Sequence, residues 1–304
     1  MEMHEIINTI YQEVKPLASE GKVADYIPQL STISPDKLAI SINNVDGSCY
    51  EVGDSNTPFS TQSISKVFGY TLAFKALGAE IWNRLGKEPS GNSFNSLVQL
   101  EYEKGIPRNP FINAGAIVIS DIILSNYSNP QQALLNFVKG ITKESSIDYN
   151  TDVATSEKST GYRNIALAYL MKSFKNIQNS VEDVLDFYFL QCSLEMSARS
   201  LSKSFLYLAN HGIVPSTNEE ILTISQSKRI SALMLTCGLY NESGDFAYRV
   251  GMPAKSGVGG GIVAIIPKKL SICVWSPPLN SFGNSLAGIE ALERFTTYTG
   301  DSIF

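Results

Sequence analysis

Apolar residues recur at spacings of three and four from about Glu5 to Leu17, where Ile6, Ile7, Ile10, Tyr11 and Val14 fall on one side of an α-helix. That face is expected to pack. Between Leu38 and Val52 the pattern becomes strand-like, and Asp46-Gly47 between two such runs is a strong signal for a two-residue hairpin turn. From Ser63 to about Ser231 the reading is mainly helical, punctuated by loops at Gly86 to Asn92, Gly105 to Pro110 and His211 to Pro215. Strand-like runs return at Phe246 to Val250, Gly261 to Ile266 and Leu270 to Trp275, and a last helix is expected from about Asn284 to Tyr298. Strands at both ends around a helical middle predict an α+β fold. In it an antiparallel sheet pairs the first and last segments, with a large helical region inserted between them. The expected division is a sheet lobe of residues 1–58 and 240–304 and a helical lobe of residues 59–239, together one domain, with the functional site at their seam. No repeat of about 20 to 50 residues points to an appended array.

Composition narrows the partners more than the fold. The chain of 304 residues can bury a full core, and 43% hydrophobic with 17% charged residues argues against disorder. The 24 Lys and Arg against 29 Asp and Glu give a net charge of -5 without a dense basic stripe, so nucleic acid is not an expected partner. The acidic start Met1-Glu2-Met3-His4-Glu5 does not resemble an export signal. No run approaches the roughly 20 apolar residues that span a bilayer, so a cytoplasmic protein without a membrane partner is expected. Cys49, Cys192, Cys237 and Cys273 show no C-x-x-C pair and no metal-ligand spacing, and read as buried free thiols. No metal or other cofactor is expected.

Histidine is scarce, and that restricts the chemistry. His4 lies near the start, and His211 before Gly212 reads as a helix-end residue favoured by the helix dipole. A Ser-His-Asp triad is poorly supported, and neither H-E-x-x-H nor a Walker-type loop occurs. Lysine can serve as the base when burial or a neighbouring cation lowers its pKa from about 10.4 toward 7. Ser63-Ile64-Ser65-Lys66 offers that option at the start of an apolar helix, where nucleophile and base share a face. S-x-x-K also begins at Ser19, Ser34, Ser200 and Ser225, and surface N-capping is the plain reading of the last two. What favours Ser63 is the later Lys255-Ser256-Gly257, which matches the K-[ST]-G strand of penicillin-recognising serine hydrolases and follows S-x-x-K in the right order. Lys255 would then depress the pKa of Lys66 by like-charge repulsion, and an N–H near Val258 would donate to an oxyanion. The S-D-N motif of class A β-lactamases is missing, so that activity is the alternative rather than the first reading.

Further blocks point the same way. They are Val23-Ala24-Asp25-Tyr26-Ile27-Pro28-Gln29-Leu30, Gln62 to Lys66, Asn109-Pro110-Phe111-Ile112-Asn113-Ala114-Gly115-Ala116, and Ser156-Glu157-Lys158 leading to Asn164. Downstream come Phe187-Tyr188-Phe189, Gly238-Leu239-Tyr240 and the run from Gly251 through Lys255-Ser256-Gly257-Val258 to Gly261. From about Lys22 onward the chain resembles a bacterial-type glutaminase, a family with the β-lactamase/transpeptidase-like serine hydrolase fold. The resemblance implies Ser63 as nucleophile, Lys66 as its activating partner, and Tyr26 and Tyr240 as phenols near the reacting centre. It places substrate contacts at Ser63, Asn113, Glu157, Asn164, Tyr188, Tyr240 and the backbone of Val258. L-Glutamine is the implied substrate, with a non-catalytic glutamine-binding sensor as a further alternative. A homo-oligomer, a tetramer or a dimer, is implied as well. The ankyrin repeats and regulatory extensions of animal members have no counterpart.

Overall fold

The computed structural model describes residues 2–91 and 96–304, so Met1 and the Asn92 end of the expected Gly86–Asn92 loop lie outside the described residues. The chain opens with α1 (Met3–Val14), which buries Ile6, Ile7, Ile10 and Val14. A 3-10 turn at Lys15–Ser19 follows, because Pro16 supplies no N–H to continue the helix. After the short α2 (Pro28–Ser31) come β1 (Ala39–Asn44) and β2 (Cys49–Gly53). Their turn differs from the expected two-residue form. Asn44 N–H reaches Ser48 O at 2.9 Å, Gly47 N–H reaches Asn44 O at 3.0 Å, and Gly47 takes φ 92°, giving a three-residue loop closed by a left-handed glycine.

Next, β3 (Phe59–Ser60) leads through a 3-10 turn at Gln62–Ser65 into α3 (Lys66–Leu77). The inserted helices are α4 (Leu97–Tyr102), α5 (Asn113–Asn126), α6 (Pro130–Thr142), α7 (Thr151–Thr160), α8 (Tyr162–Ser173) and α9 (Val181–Cys192). Between α6 and α7 lies β4 (Asp148–Tyr149), and after α9 comes β5 (Leu194–Met196). In a small antiparallel sheet ordered β3-β5-β4, β5 pairs with both β3 and β4, an arrangement that sequence periodicity does not reveal. Then follow α10 (Ala198–Ser204), α11 (Leu206–Ala209), a hairpin of β6 (Ile213–Val214) with β7 (Glu219–Glu220), and α12 (Ile224–Cys237). The hairpin occupies part of the loop expected at His211 to Pro215. His211 itself takes the left-handed position after α11, with φ 57°. Ser197 and Thr223 cap α10 and α12, so Ser200 and Ser225 lie inside those helices rather than capping them.

The expected strand at Phe246 to Val250 is instead helix α13 (Ser243–Arg249). Phe246 and Val250 are buried while Tyr248 is 90% exposed. A strand would put all three on one face, whereas the i, i+4 spacing of a helix separates Tyr248 from the other two. Arg249 then pairs with Glu290 and Glu293 on the final helix.

β8 (Ala254–Ser256), β9 (Gly261–Ile266), β10 (Leu270–Trp275) and α14 (Leu286–Thr299) complete the chain. The large sheet is antiparallel in the order β2-β1-β10-β9-β8, and β1 meets β10 in register from Ala39–Trp275 to Asn44–Leu270. Side chains alternate across it. Ile40, Ile42, Ile262, Ala264, Ile272 and Val274 pack with α1 and α14, while Ala39, Val263, Ile265, Cys273 and Trp275 join the core of the helical insert. Because both faces are covered, β9 and β10 are buried at every position and read as nearly continuous apolar runs, broken only by Ser271. The four cysteines are free, but Cys49 on β2 is exposed, contrary to the expectation that all would be buried. Among the described residues no helix is long and apolar enough to cross a membrane.

Candidate active site

Where the 3-10 turn before α3 meets the exit of β8, a cavity of about 400 Å³ is lined by Tyr26, Gln62, Ser63, Asn113, Glu157, Asn164, Tyr188, Tyr240 and Val258, with Thr160, Gly161, Tyr162, Arg163 and Cys192 completing it. Eight of the nine residues singled out from the sequence therefore share one wall or another of it. The ninth, Lys66, is 1% exposed and lies behind Asn113.

Local backbone explains the convergence. Gln62, just ahead of Ser63, takes φ 49°, and Tyr240 takes φ 50°; each non-glycine residue in this region costs about 1–3 kcal/mol that the surrounding structure must offset. Strand β8 can pass close to the nucleophile only because residue 257 has no side chain: a Cβ there would lie 2.6 Å from Thr61 O and 3.3 Å from Ser63 N. The Asn109–Ala116 block has a similar basis. Asn109 Oδ1 accepts from the N–H groups of Phe111 (2.9 Å) and Ile112 (3.1 Å), turning the chain into α5, and a Cβ on Gly115 would lie 1.9 Å from Asn109 O. The helix thus starts with Asn113 inside its first turn, its side chain aimed at other residues and not used as a cap.

Polar contacts fall into two groups. On one side, Lys66 Nζ donates to Asn113 Oδ1 at 2.7 Å and to Phe111 O at 3.2 Å, and Asn113 Nδ2 donates to Asn164 Oδ1 at 2.9 Å. On the other, the Tyr26 hydroxyl donates to Glu157 Oε1 at 2.8 Å and approaches Gln62 Oε1 at 3.4 Å. The two phenols are therefore separated: Tyr26 sits on the carboxylate, whereas Tyr240 meets the Ser63 hydroxyl, the Ser256 hydroxyl and the Val258 backbone.

Burial sets the electrostatics. It lowers the pKa of Lys66 to about 8, with the neighbouring Cys192 and Glu157 opposing the shift. It raises Tyr240 to about 12, against the hydrogen bonds from Ser63, Ser256 and Val258. Glu157 is also raised by burial, while its bonds to Tyr26 and Gln62 and the charge of Lys66 pull it back. Tyr26 and Tyr188 lie well above the usual tyrosine range, first through burial; Tyr26 is 46% exposed as a residue, but its hydroxyl is enclosed against Glu157.

Lys255 is held close to Tyr240. Its amine is not among the groups lining the cavity; it donates to Gly238 O at 2.9 Å and Ser256 O at 2.8 Å, and lies 4.8 Å from the centroid of the Tyr240 ring. Burial drives its own pKa far down, and the charge of Lys66 adds to that. Burial is the main cause that depresses Lys66, and the repulsion between the two amines disfavours charging both.

Gln62 was not singled out by sequence reading, although it is 3% exposed, lines the cavity and bonds Ser60 Oγ at 3.1 Å. Its position beside Ser63 in the Gln62–Lys66 block was the available signal. Cys192, likewise unassigned, has a thiol pushed up to about 12 by burial and so stays protonated. Among the described residues no group of His, Cys, Asp and Glu is arranged to hold a metal.

A family model for glutaminase matches residues 21–304. The chain belongs to the glutaminase family. It is 55% identical over 305 residues to a glutaminase of Aliarcobacter butzleri (strain RM4018), covering all of both chains, and 52% identical over 299 residues to one of Paraburkholderia phytofirmans, covering 98% of each. Among solved structures, the probable glutaminase YbaS superposes with TM-score 0.94 at 34% identity, covering 99% of this chain and 97% of the other. A probable glutaminase from Bacillus subtilis complexed with 6-diazo-5-oxo-L-norleucine gives TM-score 0.87 at 32% identity, covering 100% of this chain and 95% of the other. The α+β architecture, with its sheet built from both chain ends around a helical insert, is that of the glutaminase family structures.

Proposed function

We propose that this glutaminase-family enzyme hydrolyses the side-chain amide of L-glutamine to L-glutamate and ammonia through an acyl-enzyme on Ser63. The observation that carries the reading is the meeting of Ser63, Tyr240 and Glu157 in one cavity with a buried lysine of lowered pKa behind it. A neutral lysine has two N–H groups and one lone pair. With the N–H groups directed at Asn113 Oδ1 and Phe111 O, the lone pair is left to take a proton.

Ser63 Oγ attacks the amide carbon as its proton passes to Lys66, and the developing oxyanion lies against the backbone N–H groups of Ser63 and Val258. Tyr240, protonated at neutral pH and in contact with Ser63, gives its proton to the leaving nitrogen and regains one from Lys66. Ammonia departs. Lys66 then takes a proton from water, which attacks the ester, and hands that proton to Ser63 Oγ as the C–O bond breaks and glutamate leaves. At the other end, Glu157, held by Tyr26, pairs with the substrate α-ammonium. Asn164, the second N–H of Asn113 Nδ2 and the Tyr188 hydroxyl remain for the α-carboxylate.

The whole chain acts in this reading as one catalytic domain of two lobes. Homotetramer or homodimer assembly is part of it, supported by the exposed side chains of Val98 and Tyr102 on α4 and Tyr169 on α8. A monomeric mass by light scattering would overturn that part. A cytoplasmic location is supported by four free cysteines, and cell fractionation tests it.

Purified enzyme should release ammonia from glutamine, and Ser63→Ala should abolish turnover while glutamine still raises the melting temperature. Turnover by Ser63→Ala would remove the serine from its role.

A further inference from the structure

Tyr240 stands on a short 3-10 turn, Tyr240–Glu242, with a left-handed backbone that a tyrosine does not adopt unaided. What holds that turn is a buried carboxylate two residues on. Glu242 is 8% exposed and forms no ion pair among the described residues; its oxygens accept from side-chain amides of the loop between β10 and α14. Asn280 Nδ2 donates to Glu242 Oε1 at 3.0 Å and to Oε2 at 2.9 Å, and Asn284 Nδ2 donates to Oε2 at 2.6 Å and to Leu239 O at 3.3 Å.

The loop that supplies these amides is itself fixed. Asn280 Oδ1 accepts from the N–H groups of Phe282 at 3.0 Å and Asn284 at 3.1 Å, and Ser285 Oγ donates to Ser276 O at 2.7 Å. It also touches the reacting groups. A Cβ built on Gly283 would lie 3.9 Å from both Tyr240 Cε2 and Val258 Cγ1. One loop therefore grips the Tyr240 turn through Glu242 and lies along the Tyr240 ring and the Val258 side chain.

We propose that Glu242, together with Asn280 and Asn284, is a positioning unit that sets the Tyr240 phenol against Ser63, acting through Tyr240 and not on the substrate. The inference rests on the reading of Tyr240 as the proton donor to the leaving nitrogen. Amide donors to a buried carboxylate suit this task, since they fix direction at both oxygens, and an acid without a matching donor set at this depth would force the turn open.

The experiment exchanges the two chemistries. Asn280→Asp keeps the acceptor that the loop needs but sets a carboxylate against Glu242. It should lower kcat about ten- to a hundredfold, the scale of loss when a catalytic group is displaced by about an ångström. Adding Glu242→Gln restores an amide–carboxylate pair with the roles reversed, and should bring kcat back to within about threefold of the parent enzyme. Each variant is checked for an unchanged cooperative melt. Both are then repeated on a Tyr240→Phe background, where Asn280→Asp should cost less than about twofold because the group it displaces is already silent. If the double variant stays as slow as Asn280→Asp, or Asn280→Asp costs the same factor on both backgrounds, the positioning role is overturned. Tyr240→Phe alone decides the reading beneath it: full activity there removes Tyr240 from the chemistry, whatever the Asn280 and Glu242 variants do.

Discussion

Lys66 controls how the reaction depends on pH. As the acceptor of the Ser63 proton it must be neutral, so kcat/KM should rise with pH up to about 8 and flatten above it. A profile flat between about pH 6 and 9 would rule it out as the base. The same group marks stability. Its folded pKa lies below the unfolded value near 10.4, so between about 8 and about 10.4 the unfolded chain binds the extra proton and stability rises with pH. Lys66→Met should abolish turnover, remove that pH dependence and stabilise the protein by about 1–3 kcal/mol at pH 7, as read from urea unfolding. Glu157→Gln keeps the shape but not the charge facing the α-ammonium, and should raise KM about a hundredfold with a smaller effect on kcat. These side chains are legible in the sequence because their residue types are chemically distinctive. It said nothing of how the two phenols divide, since Tyr26 and Tyr240 are identical as letters and only the fold directs one to Glu157 and the other to Ser63. Nor could it orient Lys255, whose amine lies beneath the Tyr240 ring.

At the scale of elements, legibility followed length and periodicity. Helix α1, strands β1, β9 and β10, and helix α14 were readable because each presents a full period to a core. The two-residue strands β3 and β4 carry no period at all, and α13 was mistaken for a strand because Phe246, Ala247, Tyr248 and Val250 suit either state over so short a span. Its helical state is settled by tertiary contacts: Phe246 and Val250 are buried together and Arg249 engages α14. The start of α5 gives a test at this scale. Gly115→Ala would drive a Cβ into the Asn109 carbonyl, 1.9 Å away, and should cost at least about 2 kcal/mol in urea unfolding while shifting Asn113 and lowering kcat.

Over the whole molecule, the sheet joins residues from near opposite ends of the chain, with Ala39 opposite Trp275. Strand β1 cannot be completed until β10 has been made, a topology of slow-forming, long-range contacts. A chain ended at residue 260 should therefore show no cooperative melt, even though the whole helical insert would be present. The β-lactamase-like plan was legible as an order of elements, strands then helices then strands. The two-sided burial of the sheet was hinted at only by the nearly unbroken apolar runs of β9 and β10, in which Ser271 is the one polar residue.

That sheet also acts as a partition. One face closes over α1 and α14, and the other supports the insert that carries Ser63 and Lys66. An engineer could therefore redesign the packing between Ile40, Ile272 and Phe295 for heat tolerance and leave the catalytic half as inherited, with gains on the two sides combining almost independently.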